Sequence, residues 1–284
     1  ARQGAGMRVW RRLRNDPVGM VCLCFLLAVA ALALCAPLAA PWDPTAIDVR
    51  NKFAAWSLAH PLGTDQLGRD VLSRLIWGGR ATLGFSLLTM GITLVIGSGL
   101  GIVAGFCRGK VDETIMRFCD VMMSFPSEVL ILAIVGMLGP GLGNVVIASV
   151  IAKWPWYSRM VRSVVMQYTD VNYVRFARVA GCGMLHIYRR HLLPGALGEI
   201  IVLATLDTGA VILSVSALSF LGLGVQPPTA EWGAMLSDAK DIMSMYPQQM
   251  LPAGLTILLV VAAFNLLGDS LRDALDPAHT TLQG

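Results

Sequence analysis

The chain has 284 residues, of which 55% are hydrophobic and only 14% charged, whereas a soluble domain carries roughly 25% charged residues. Its formal net charge of +4 is too small to make nucleic acid a first guess for a partner. Such a balance speaks against an ordinary soluble enzyme, and it turns the basic residues into orientation signals for a chain threaded through a bilayer.

Residues 1–17, with Arg8, Arg11, Arg12 and Arg14, read as a cytoplasmic tail. The first span, residues 18–40, runs "VGMVCLCFLLAVAALALCAPLAA", 23 residues without a charge. A signal peptide has a shorter apolar core, so this is read as an anchor. Leu34 is too large for the position before Cys35 in a lipoprotein cleavage site. Residues 41–81 form a periplasmic segment: "PWDPTAIDVR" is turn-rich, Trp42 and Trp56 suit a membrane interface, and "GTDQLGRDVLSR" alternates acids and bases at helical spacing. That charged surface is either solvated or an interface.

Residues 82–268 are expected to form a five-helix core, with spans over Thr82–Phe106, Ile115–Leu138, Asn144–Val165, Ile200–Leu223 and Leu251–Leu267, and residues 269–284 a cytoplasmic tail. Gly97, Gly101 and Gly105, four apart, suit close helix contact within a pair of subunits. Arg117 and Asp120 enter the third span, and Lys153 and Pro155 interrupt the fourth. The fold class is all-α, a polytopic membrane protein of about six helices. With the N-terminus inside, 15 Lys and Arg fall on the inner side and 6 on the outer, Lys153 apart, as the positive-inside rule requires.

Between the fourth and fifth spans lies "YVRFARVAGCGMLHIYRRHLLPGALG", with Arg175, Arg178, Arg189 and Arg190 and no acid between Asp170 and Glu199. Gly181 and Gly183 divide it into two short helical pieces, and Pro194 with Gly195 is expected to stop the second. It is either an interfacial helix on anionic lipid or a docking knob for a soluble partner, with Val179, Met184 and Ile187 in a groove.

Asp207 stands at membrane depth, where a carboxylate is costly and must face a partner helix or a watery path. Ser214 and Ser216 are candidates for the same face, or for close packing. Lys153 is a pathway charge or a snorkelling side chain. No metal site is expected, because the six cysteines and four histidines form no ligand cluster; Met235, Met243, Met245 and Met250 read first as apolar packing. "GFCRGKV" has Ala104 where a phosphate-cradling loop needs its first glycine, so the chain is not expected to hydrolyse ATP. An intramembrane aspartyl protease would need Asp207 to meet Asp120 or Asp269 in one cavity.

"RFARVAGCGMLHIYRRHLLP" resembles the EAA loop of ABC-importer permeases. Gly181, the nine-residue gap, Leu193 and Pro194 match that pattern, and Ala177 matches its second alanine. Arg175 replaces the glutamate, Phe176 the first alanine and His191 a hydrophobic residue, departures found in the peptide and nickel importers. "HPLGTDQLGRDVLSRLIWGGRATL", "LSFLGLGVQPPTAEWGAML" and "FNLLGDSLRDALDP" resemble the C-type permease subunit of that branch, so the likeness runs from about Val18 to Pro277.

The resemblance implies a type I importer permease in the bacterial inner membrane, with both termini cytoplasmic and residues 173–196 as the coupling loop. Arg175, Ala177, Gly181, Met184, Ile187, Leu193 and Pro194 would meet the ATPase. The implied partners are a sister permease, two ATPase subunits and a periplasmic substrate-binding protein. This chain would bind no cofactor, ATP and Mg belonging to the ATPases. Val215 stands where peptide-type relatives often carry Glu, and "LATLDTG" and "TAEWGAML" resemble permeases for nickel or for metal held by an opine-like chelator. Nickel or a metal chelate is therefore the first reading of the cargo, a peptide the alternative, with Asp207, Ser214, Ser216 and Lys153 on its path.

Overall fold

The computed structural model describes residues 3–169, 176, 181 and 193–275. Among these, every regular element is helical, and strand pairing is confined to one isolated bridge between Thr64 and Asp70. After α1 (Gln3–Asn15), α2 (Pro17–Leu34) starts where Asp16 Oδ1 accepts from the Val18 N–H at 3.1 Å. Pro17 occupies the first helical position, where a missing N–H costs nothing. The short α3 (Ala36–Ala39) completes the first expected span.

The second span is longer than expected. α4 (Val71–Cys107) is one 37-residue helix, about 55 Å at 1.5 Å per residue against a hydrocarbon core of about 30 Å. Asp70 Oδ2 caps it by accepting from the Ser73 N–H at 2.7 Å. The boundary expected at residues 81 and 82 thus falls inside the helix. Helical order begins only at Val71, so the stretch around Asp65 and Arg69 is loop, not the helix its spacing implied.

The expected third span is broken. α5 (Gly109–Met123) and α6 (Ser127–Leu138) meet at a bend of 79°. Pro126 disfavours helical geometry at Phe125 and removes a backbone donor. α5 carries Lys110, Asp112, Glu113, Arg117 and Asp120, and α6 has 12 residues, about 18 Å, roughly half a membrane.

α7 (Leu142–Thr169) runs through Pro155 without breaking, so the interruption expected there does not occur. Its charges are matched by α5: Arg159 pairs with Asp120 and Arg162 with Asp112. Three of the α4 glycines receive α7 of the same chain. A Cβ would lie 2.5 Å from Tyr157 Cβ at Gly97, 2.4 Å from the Ser158 carbonyl at Gly101 and 3.0 Å from Val165 Cγ1 at Gly105.

α8 (Leu193–Phe220), α9 (Trp232–Lys240) and α10 (Leu251–Leu275) complete the core. Pro194 lies in the first turn of α8, so it opens this helix where the sequence suggested it would end the preceding one. Among the described residues, four helices (α2, α4, α8 and α10) are long and apolar enough to cross a membrane, and the bent α5–α6 pair makes five. α7, expected as the fourth of six spans, carries Lys153, Arg159 and Arg162 and does not reach that apolarity.

The end of the bundle that holds residues 41–70 is tied by buried charge. Asp65 Oδ2 accepts from Arg69 Nε at 2.7 Å and Arg74 Nη1 at 2.6 Å, and Asp238 Oδ2 from Arg69 Nη2 at 3.1 Å and Arg74 Nη2 at 3.0 Å. The sequence alone predicts a solvated or partner-facing surface here. Instead Asp65, Arg69 and Arg74 are buried and bind α9 to α4. Nearby, Trp232 lies on Gly78 and Gly79, donates Nε1 to the Leu75 carbonyl at 2.8 Å, and follows a buried Glu231 that caps α9 and accepts from Thr82 Oγ1 at 2.8 Å.

Candidate functional site

Three ionisable side chains lie at similar distances along their helices from one end of the bundle. The Gly141 N–H donates to the Leu223 carbonyl at 3.0 Å, which fastens the α6–α7 turn beside the end of α8. From that common end Glu128 is 10 residues before Leu138, Lys153 is 11 after Leu142 and Asp207 is 13 before Phe220. At 1.5 Å per residue these offsets are about 15, 17 and 20 Å, near half of a 30 Å hydrocarbon core.

Lys153 and Tyr157, one turn apart on α7, share a face. The Tyr157 hydroxyl donates to Asp207 Oδ2 at 2.6 Å, and Lys153 Nζ is 4.0 Å from the same oxygen. The side chains of Lys153 and Asp207 are 15% and 25% exposed, so Lys153 does not snorkel to a helix end. A carboxylate and an ammonium at this depth offset each other, and the phenol supplies the hydrogen bond that lipid cannot. Asp207 therefore does find a partner on a neighbouring helix.

Beside this pair a cavity of about 380 Å³ opens between α6, α7 and α8, lined by Glu128, Ile131, Leu132, Lys153, Ala210, Leu213, Ser214, Ala217, Leu218 and Leu221. Lys153 and Ser214 are brought together there. Ser216 is not: it is buried on the far side of α8, where a Cβ at Gly233 would lie 2.1 Å from the Ser216 carbonyl. Residues two apart on a helix point about 200° apart, so the two serines cannot share a face. Glu128 and Tyr157 escaped the sequence reading. The signals were present, as the lone acid in "SEVLILAIVGML" and a tyrosine one turn after Lys153.

In the basic segment, Arg175, Ala177, Met184 and Ile187 lie outside the described residues. Gly181 forms a turn at φ +75°, exposed, and a Cβ there would meet nothing within 4 Å. Leu193 and Pro194 form the first turn of α8. Among the described residues, no group of three or more His, Cys, Asp or Glu side chains is placed to hold a metal. Met235 is packed in the core, whereas Met243 and Met245 are exposed. Asp120 is engaged by Arg159 and Asp207 by Tyr157, so these two acids do not form a proteolytic pair.

Comparison with known proteins agrees with this architecture. The family model described as "Binding-protein-dependent transport system inner membrane component" matches residues 97–280, and "N-terminal TM domain of oligopeptide transport permease C" matches residues 6–61. The metal-staphylopine import system permease CntC of Staphylococcus aureus (strain NCTC 8325 / PS 47) is 42% identical, the match covering 95% of this chain and 94% of that protein. The nickel transport system permease NikC of Escherichia coli (strain K12) is 42% identical over 91% of this chain and 94% of its own. The di/tripeptide permease DppC of Pseudomonas aeruginosa (strain UCBPP-PA14) is 43% identical over 94% and 90%. An inward-facing structure of the MetNI methionine ABC transporter shares the fold, at 18% identity and a TM-score of 0.58 over 72% of this chain and 97% of that one. With two family models and three long matches above 40% identity in agreement, the chain belongs to the inner-membrane permeases of binding-protein-dependent ABC importers, in the peptide and nickel branch.

Proposed function

We propose that this chain pairs with a sister permease to enclose a path for nickel or a metal chelate, and that Asp207, Lys153 and Ser214 face that path. The observation that carries the reading is the charged cavity halfway along the bundle, bounded on one side by a broken span. Membrane proteins keep charge and interrupted helices at this depth where water or cargo passes. Two ATPase subunits, holding ATP and Mg, would grip the segment around Gly181, and a periplasmic binding protein would deliver cargo at the opposite end. Both termini are then cytoplasmic, and this subunit itself is no enzyme and binds no cofactor.

The similarity to metal permeases supports a metal cargo, as does Val215, which is buried in the core where an acid would mark the peptide type. The 43% identity to a di/tripeptide permease keeps peptide import as the second reading. Uptake of radiolabelled nickel, nickel with an opine-type chelator, and a dipeptide into vesicles holding the complete importer separates them. Asp207→Ala is expected to cut uptake of the true cargo while the complex stays assembled. Unchanged uptake would remove Asp207 from the path.

A further inference from the structure

The cavity holds one acid without a partner among the described residues and one base only loosely paired. Among the described residues no hydrogen bond or ion pair engages the Glu128 carboxylate, which is exposed in the first turn of α6 at half depth. A lone carboxylate there requires water or a ligand. Lys153 is tied only loosely. Its Nζ stands 4.0 Å from Asp207, beyond the 2.7–3.2 Å of a hydrogen bond, because Tyr157 holds that oxygen at 2.6 Å. An ammonium has three donors, so it remains open to a second carboxylate.

We propose that Lys153 and Glu128 read the two ends of a zwitterion: Lys153 takes a carboxylate and Glu128 an ammonium of an amino-acid-like cargo, a peptide or a metal chelate that keeps one ammonium off its metal. The inference rests on the reading of this cavity as the path. A bare divalent cation fits poorly, since it asks for several oxygen, nitrogen or sulfur donors. The described residues offer no such group, and Lys153 repels it. The volume of about 380 Å³ lies within the range of small-molecule sites. The walls at Ile131, Leu132, Leu213 and Leu221 suit an aliphatic backbone between charged ends. A peptide and a chelate with one ammonium kept off its metal, chemically distant as wholes, share this pair of groups.

The test uses the complete importer in vesicles, supplied with radiolabelled bare nickel, nickel with a lysine-derived aminopolycarboxylate whose side-chain ammonium stays off the metal, or radiolabelled alanyl-alanine. The expected result is uptake of the chelate or the dipeptide but not bare nickel. KM should rise about tenfold or more in Lys153→Met and in Glu128→Gln and stay near wild type in Lys153→Arg, because bound cargo shields these charges from water and losing one partner of a shielded pair costs at least that factor. Glu128→Gln keeps shape at an exposed position, so it reports on binding even where Lys153→Met fails to assemble. Uptake of bare nickel, uptake of none of the three, or an unchanged KM in Glu128→Gln would each overturn the proposal. Bare-nickel uptake that Asp207→Ala still abolishes would overturn it while leaving the path intact; uptake indifferent to Lys153, Glu128 and Asp207 alike would remove both.

Discussion

The Tyr157 hydroxyl donates to Asp207 Oδ2 at 2.6 Å, joining α7 to α8 halfway along the bundle. Tyr157→Phe removes that donor and leaves the carboxylate to Lys153 alone. A half-buried acceptor stripped of its donor costs about 1 kcal/mol, the lower end of the range for buried groups. The expected result is a lower melting temperature of the purified complex together with slower uptake. An unchanged melting temperature would show that the bond contributes nothing to the bundle.

At Gly181 it is the backbone, and not crowding, that sets the constraint. Its φ of +75° lies in the region that costs an ordinary L-residue about 1–2 kcal/mol, yet the space around it is open. Gly181→Asn should therefore retain most cargo-stimulated ATPase activity, since Asn tolerates this conformation, whereas Gly181→Val should lose it. Equal activity of the two variants would contradict the assignment.

Asp65 binds two buried guanidinium groups, from Arg69 and Arg74. Asp65→Ala leaves both to the partly exposed Asp238, and breaking a buried pair costs about 3–5 kcal/mol. Asp238→Ala should cost clearly less, because its side chain is 34% exposed and Asp65 still serves both arginines. Thermal unfolding of the two variants compares them directly, and a larger loss in Asp238→Ala would reverse the argument.

Two glycines of α4 should respond oppositely to a side chain. A Cβ at Gly101 would lie 2.4 Å from the Ser158 carbonyl, a backbone atom that cannot turn aside, so Gly101→Ala should destabilise by at least the 1–3 kcal/mol typical of overpacking. At Gly84 a Cβ meets nothing within 4 Å, so Gly84→Ala should gain about 0.5–1 kcal/mol of helix stability. Denaturation of the two variants in parallel tests the pair.

The N-terminal cap of α2 should make stability depend on acid. A hydrogen bond from Ser270 is the main influence lowering the Asp16 pKa below its usual value, with help from the Val18 and Gly19 N–H groups and against partial desolvation. Because the folded-state value lies below the unfolded one, the stabilisation is complete above the unfolded value near 3.8 and disappears as pH falls through the folded value. Asp16→Ala should cost about 1 kcal/mol at neutral pH, as cap removal does, and the deficit should shrink below about pH 4. A deficit independent of pH would assign the effect to packing.

The sequence by itself determined that this chain lives in a membrane, where its apolar runs lie and which family it joins. An uncharged run such as Val21–Leu34 is a local property, as is the glycine-and-proline pattern around Gly181. Only the tertiary structure decided which charges meet. Nothing local places Asp207 against Tyr157, fifty residues earlier, or Arg74 against Asp238, 164 residues later. The same holds for the glycines of α4, whose spacing announced a close partner but could not say that the partner was α7. The bend between α5 and α6 had its proline in view, but not its 79° angle nor the pairing of α5 with Arg159 and Arg162 of α7. Solvation sorts residues one at a time, whereas pairing depends on which helices come to lie side by side.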